Sequence, residues 1–140
     1  MKAEKEERLI INAENAVLGR LASYAAKQAL LGKKVIIVNS EKAIVVGNEK
    51  DILRRYMEKR KRGGSSQKGP FFPSQPERIL KRVIRGMLPY KKGRGRGAFK
   101  KIRCYKGLPP EFENEKMVKS GRGKKGITLE KISKMLKGGR

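Results

Sequence analysis

Arg55, Lys59 and Arg62 fall at i, i+4 and i+7, and Arg78, Arg82 and Arg85 repeat that spacing. On a helix such positions share one face, so each triplet becomes a row of cations aimed one way. Arg54, Arg60 and Lys61 lie beside the first row, and Lys81 beside the second. Rows of this kind neutralise phosphate: guanidinium groups fork onto its oxygens, and ammonium groups act as point charges. A solvated charged face is the plain alternative, but such faces mix signs. Here Glu58 and Glu77 are the only acids between positions 54 and 106. A third basic stretch, Lys91-Lys92-Gly93-Arg94-Gly95-Arg96-Gly97, reads as a flexible loop whose arginines contact phosphate and stack on bases. Lys68, Lys100 and Lys101 complete the candidate nucleic-acid-binding set.

Other chemistries find little support. The chain has no histidine and one cysteine, Cys104. The usual acid–base group of neutral pH is missing, and Cys/His zinc sites and internal disulfides cannot be built. Cys104 lies in an apolar-alternating stretch and reads as a small core residue. No carboxylate pair or metal-ligand cluster stands out. The glycines of the third stretch are spaced somewhat like a phosphate-cradling nucleotide loop. That motif needs a strand before it, whereas here a helix ending at Pro89 precedes it. The expectation is a protein that is not an enzyme and takes no cofactor, metal or small-molecule substrate. Phe71-Phe72, between Pro70 and Pro73, could stack on unpaired bases. Pinning the long loop to the core or to a protein neighbour is the favoured reading.

Charge distribution agrees. The net charge is +24 over 140 residues, and positions 54–106 hold 19 basic against 2 acidic residues. A field this strong concentrates polyanions around the chain. Hydrophobic residues still make up 37%, enough for a core. The amino terminus lacks the apolar stretch of a signal peptide, and no run approaches the ~20 apolar residues that span a bilayer. A cytoplasmic protein with no membrane partner is expected.

The elements that must position the basic rows follow from periodicity. Arg8–Asn12 reads as a strand. Val17–Leu31 reads as a helix with Leu18, Leu21, Ala22, Ala25 and Ala29 inward, Asn15 as its cap and Gly32 beyond its end. Val35–Asn39 is an apolar, β-branched run suited to a strand buried on both faces of a parallel sheet. These three fit a βαβ unit. Ala43–Val46 looks like a third strand and Ile102–Tyr105 like a fourth. A second helix opens at Asn48 and runs to about Arg62, with Ile52, Leu53, Tyr56 and Met57 inward. A third opens at Pro76 and is ended by Pro89, with Ile79, Leu80, Val83, Ile84, Met87 and Leu88 inward. The apolar stripes can pack on the sheet while the basic rows face out. Leu129–Leu136 reads as a short amphipathic helix capped by Thr128.

Four stretches carry a family resemblance. They are Val17-Leu18-Gly19-Arg20-Leu21-Ala22-Ser23, then Val38-Asn39-Ser40-Glu41-Lys42-Ala43-Ile44-Val45-Val46-Gly47, then Pro76-Glu77-Arg78-Ile79-Leu80. The fourth is Arg85-Gly86-Met87-Leu88-Pro89, followed by Gly95, Ile102 and Tyr105-Lys106-Gly107. Together, and in this order, they resemble the universal large-subunit ribosomal protein 13 family. The short step from Gly32-Lys33-Lys34 into the second strand is similar to archaeal-type members. The resemblance implies an α/β/α fold, a place in the large ribosomal subunit, binding to 23S-type ribosomal RNA, contacts with neighbouring ribosomal proteins, an early role in assembly and no catalysis.

The combined expectation is an α/β protein. It has a three-layer α/β/α core with a small, largely parallel four-stranded sheet over about positions 8–107, and an irregular extension with a short helix over 108–140. All of it would form one ribosomal-protein domain. The competing expectation is a general architectural protein that binds DNA and RNA alike.

Overall fold

The computed structural model describes residues 8–61, 73–112, 118–119 and 126–138. The candidates Arg62 and Lys68, and the pair Phe71-Phe72, lie outside these residues.

The βαβ unit forms as its pattern predicts. Strand β1 (Arg8–Asn12) pairs in parallel with β2 (Lys34–Val38), Ile10 opposite Ile36 and Ile11 opposite Ile37. Between them runs α1 (Leu18–Leu30), whose buried residues include Leu21, Ala22, Ala25 and Ala29. Gly32 ends this helix at φ +97, where a side chain would be strained. The Gly32 N–H donates to the Ala29 carbonyl at 3.0 Å, and the Lys33 N–H to the Gln28 carbonyl at 3.2 Å, the paired bonds of a Schellman end. The start differs from expectation. Val17 holds the cap position and Asn15 adopts φ +60. Asn15 therefore serves the turn before the helix, a conformation its short polar side chain tolerates.

Further along come β3 (Ile44–Val46), α2 (Glu49–Lys61), α3 (Pro76–Met87), α4 (Gly93–Lys100), β4 (Ile102–Cys104), β5 (Val118–Lys119), β6 (Gly126–Thr128) and α5 (Leu129–Gly138). β4 joins β2 in parallel, and the two residues of β5 pair with β1, giving the order β4-β2-β1-β5. The α/β class and the small, mostly parallel sheet are thus observed. β3 is a strand, but outside this sheet: it pairs antiparallel with β6, Ile44 opposite Thr128. Three side-chain or ring devices start helices as expected. The Lys50 N–H donates to Asn48 Oδ1 at 3.0 Å, the Lys131 N–H donates to Thr128 Oγ1 at 3.3 Å, and Pro76 opens α3.

β1 and β2 are buried on both faces, as the unbroken apolar run requires. Ile11, Val35 and Ile37 meet Leu21, Ala25, Ile79, Leu80 and Ile84 of the helical side. Ile10, Ile36 and Val38 face the other way, where Phe112 and Tyr105 cover them. Among the described residues that cover is thin: Tyr105 and the 3-10 turn over Pro110–Phe112. α3 reaches the sheet edge at β4, while α2 packs chiefly on α5. α3 also packs closely on α1, so the second basic row is mounted on the core that α1 and the sheet edge form, and the first is mounted on α5.

Two of the motif stretches turn out to touch. The Asn39 N–H donates to the Gly107 carbonyl at 2.9 Å, and the Ser40 N–H to the Tyr105 carbonyl at 3.1 Å. The buried Glu41 carboxylate accepts the Gly107 N–H at 2.8 Å, and Gly107 turns at φ +73. This latch ties the end of β2 to the end of β4, and so fixes the sheet edge on which α3 rests.

Candidate nucleic-acid interface

α3 is sharply two-sided. Ile79, Leu80 and Ile84 are 0% exposed, while Arg78, Arg82 and Arg85 face out and Lys81 is half-buried. The periodicity that buries the stripe is what turns the basic row outward. Among the described residues, Arg78, Lys81 and Arg85 form no ion pair with a carboxylate. Their charge remains available to an external anion.

α4 corrects the reading of Lys91–Gly97 as a loop. Gly93–Lys100 is helical despite three glycines in eight residues. Each helical glycine costs about 1 kcal/mol relative to alanine, so packing must hold this helix together. Ala98 is buried, and Gly95 lies against the Pro89–Tyr90 backbone. Arg94 and Arg96 are exposed on the helix, with Lys91 and Lys92 exposed just before it. Lys100 is exposed near its end. Lys101 is half-buried, and its Nζ donates to the Gly32 carbonyl at 3.4 Å.

Between α3 and α4 runs a groove lined by Pro73, Arg78, Lys81, Arg82, Arg85 and Phe99. Lys81 Nζ stands 4.9 Å from the Phe99 ring centre, and Arg85 Cζ stands 4.2 Å from that of Tyr90. The two rings meet edge to face, 5.5 Å apart at 88°. Cation–ring contacts near the surface are weak, but they orient long side chains without neutralising them. Tyr90 and Phe99 are absent from the residues expected from sequence. Their signal was there: the two aromatics bracket the basic glycine stretch. Arg103, exposed on β4, lines the edge of the sheet with Arg78, Lys81 and the Glu77 carboxylate, and is likewise absent from the residues expected from sequence.

The α2 row is placed differently. Arg54, Arg55 and Lys59 are exposed, but Asp51 lies 3.6 Å from Arg54, and Lys59 Nζ stands 5.2 Å from the Tyr56 ring centre. Arg60 and Lys61 belong to the same helix. An exposed ion pair contributes little to stability, yet it does reduce the net field of this row. The structure thus brings the α3 and α4 candidates together and leaves the α2 candidates on another helix.

Cys104 supplies no nucleophile. Burial pushes its thiol up to about 12, with Lys81 opposing the rise and Glu77 adding to it. A thiol with so high a pKa stays protonated at neutral pH, where the reactive thiolate is scarce. Alkylation by iodoacetamide at pH 8 should therefore be at least ~10-fold slower in the folded protein than in urea, where the thiol titrates near its ordinary value. Equal rates would mean that Cys104 is open to solvent. No metal-ligand group forms, and no helix is long and apolar enough to cross a membrane, among the described residues.

Comparisons with known proteins point one way. The family model described as Ribosomal protein L13 matches residues 6–111. The chain is similar to the "Large ribosomal subunit protein uL13" of Archaeoglobus fulgidus, 44% identical over 89% of this chain and 77% of the relative. The protein of that name from Methanopyrus kandleri is 42% identical over 95% of this chain and 89% of its own. That from Methanocaldococcus jannaschii is 44% identical over 91% and 96%.

Proposed function

The chain belongs to the ribosomal protein L13 family, as an archaeal-type member, and from that premise we propose that it binds 23S-type ribosomal RNA through the α3–α4 face and supports assembly of the large subunit. Its role is structural and not enzymatic. Its place is the large ribosomal subunit, among other ribosomal proteins.

The observation that carries the reading is the outward row Arg78, Lys81, Arg82 and Arg85, mounted on a helix whose opposite side is sealed in the core. Such a row can follow a phosphate backbone without a large ordering cost, because its helix is already fixed. The major groove of an A-form helix is too narrow for side chains to read, so recognition is mainly of folded RNA shape. Phosphate neutralisation supplies most of the affinity. Arg94, Arg96, Lys91 and Lys92 widen the contact, and Arg54, Arg55 and Lys59 form a second patch for another RNA strand.

Sedimentation of cell extract tests the assignment. The protein is expected with large subunits and their precursors, and a protein left at the top of the gradient would overturn the reading. In purified form it is expected to prefer folded ribosomal RNA to duplex DNA at physiological salt. Comparable binding to both would favour a general architectural role instead.

A further inference from the structure

We propose that the α3–α4 groove is a nucleotide-binding subsite that takes one unpaired base onto Phe99, with the flanking phosphates held by Arg78, Arg82 and Arg85. This rests on the ribosomal RNA reading and adds to it a base contact that a phosphate surface does not need.

The lining of the groove is the reason. A helix that only tracks phosphates needs cations and no rings. Here Phe99 forms part of the lining, half-buried, among four cations of one helix and Pro73. Tyr90 props the ring edge to face at 5.5 Å, which fixes its tilt. Lys81 Nζ stands 4.9 Å from its centre. Arg85 is drawn 4.2 Å from the Tyr90 ring centre, and so is kept at the rim of the groove.

The Lys81 ammonium is a place-holder. A cation over a ring near the surface is a weak contact, weaker than a nucleobase stacked on the same ring. The lysine stem is flexible and its head is a strong phosphate donor. An entering base therefore displaces the ammonium from Phe99, and the ammonium moves to the phosphate of that same nucleotide. The exchange keeps both partners satisfied. Duplex RNA cannot use the site, because its bases are paired and stacked on each other, so the ligand is a bulged, looped or overhanging unpaired nucleotide.

The test measures binding of the full-length protein to two probes, deproteinised large-subunit ribosomal RNA and a blunt RNA duplex of about 20 base pairs. Phe99→Leu is expected to weaken binding to the ribosomal RNA by about 5- to 140-fold, one base stack of ~1–3 kcal/mol at 1.4 kcal/mol per tenfold. The salt slope should fall by no more than about one unit, the Lys81 contact alone, and the duplex affinity should not change. Phe99→Trp, which keeps a stacking face, should bind ribosomal RNA like the wild type. Three results overturn the proposal: unchanged binding by Phe99→Leu, an equal loss on the duplex, or a Phe99→Trp protein as weak as Phe99→Leu. A wild type with no preference for ribosomal RNA over the duplex would remove the RNA reading and this site with it. A wild type that keeps the preference beside an unaffected Phe99→Leu would remove the site alone.

Discussion

Replacing Arg78, Arg82 and Arg85 together by glutamine is expected to weaken binding to ribosomal RNA by roughly 10²–10³-fold at about 0.1 M salt, since each phosphate contact releases close to one counterion. The slope of log K against log salt should fall by about 2–3 units for the three contacts. Filter binding or fluorescence titration across a salt series reads both numbers. The size of the effect follows from the mounting of these residues. They project from a helix whose inner side is sealed by Ile79, Leu80 and Ile84, so they do not collapse inward when RNA is absent. Fold stability should barely change, because exposed cations contribute little to it. Lysine at the same three positions should restore most of the slope, because charge is kept, but not all of the affinity, because the bidentate fork is lost. A slope unchanged by the glutamine variant would mean that the row is solvated in the complex.

Gly95→Ala is the second large effect, and its sign is the informative part. In a helix, alanine in place of glycine normally gains about 0.5–1 kcal/mol. At Gly95 an added Cβ would stand 2.0 Å from the Pro89 carbonyl oxygen and 2.3 Å from its carbon. The obstacle is backbone, so either α4 or the Pro89 turn must move. Overpacking of this kind costs about 1–3 kcal/mol, which outweighs the propensity gain. At Gly97 an added Cβ meets nothing within 4 Å, so Gly97→Ala should stabilise by about 0.5–1 kcal/mol. Urea denaturation of the two variants should move the midpoint in opposite directions. If both gained stability, α4 would not be docked on Pro89, and the basic stretch would be the loose loop its composition suggests. The same contact accounts for the company that Leu88-Pro89 and Gly95 keep in the family resemblance: the two are a lock and its clearance.

These two variants also mark where the sequence could be read and where it could not. The strands β1 and β2 were legible because a run of β-branched apolar residues has one comfortable setting, inside a parallel sheet. The ends of helices were legible where a single residue does the work, as at Gly32, Asn48, Pro76 and Thr128. α4 was not legible, because three glycines argue against a helix and the packing that overrides them comes from α1 and from the Pro89 backbone, against which Ala98 and Gly95 are set. The pairing of β3 with β6 was hidden for another reason. More than eighty positions separate Ile44 from Thr128, and no local pattern reports such a partner. Of the candidate site, the α3 row was read from spacing alone. Tyr90, Phe99 and Arg103 joined it only once the helices were placed, because a groove is a property of two elements and periodicity describes one at a time.

The central claim is that the α3–α4 face lies on large-subunit ribosomal RNA, and a tethered cleavage reagent tests it most directly. Gly86 is exposed four residues past Arg82, and a Cβ there meets nothing within 4 Å. In a Cys104→Ser background, Gly86→Cys gives the chain a single reactive thiol beside the row. An iron chelate on that thiol, in large subunits assembled with the full-length protein, releases radicals that cut nearby backbone. The account predicts strong cuts confined to a few neighbouring strands of the large-subunit RNA. Fully occupied subunits with no cuts beyond those of the Cys104→Ser control would contradict it.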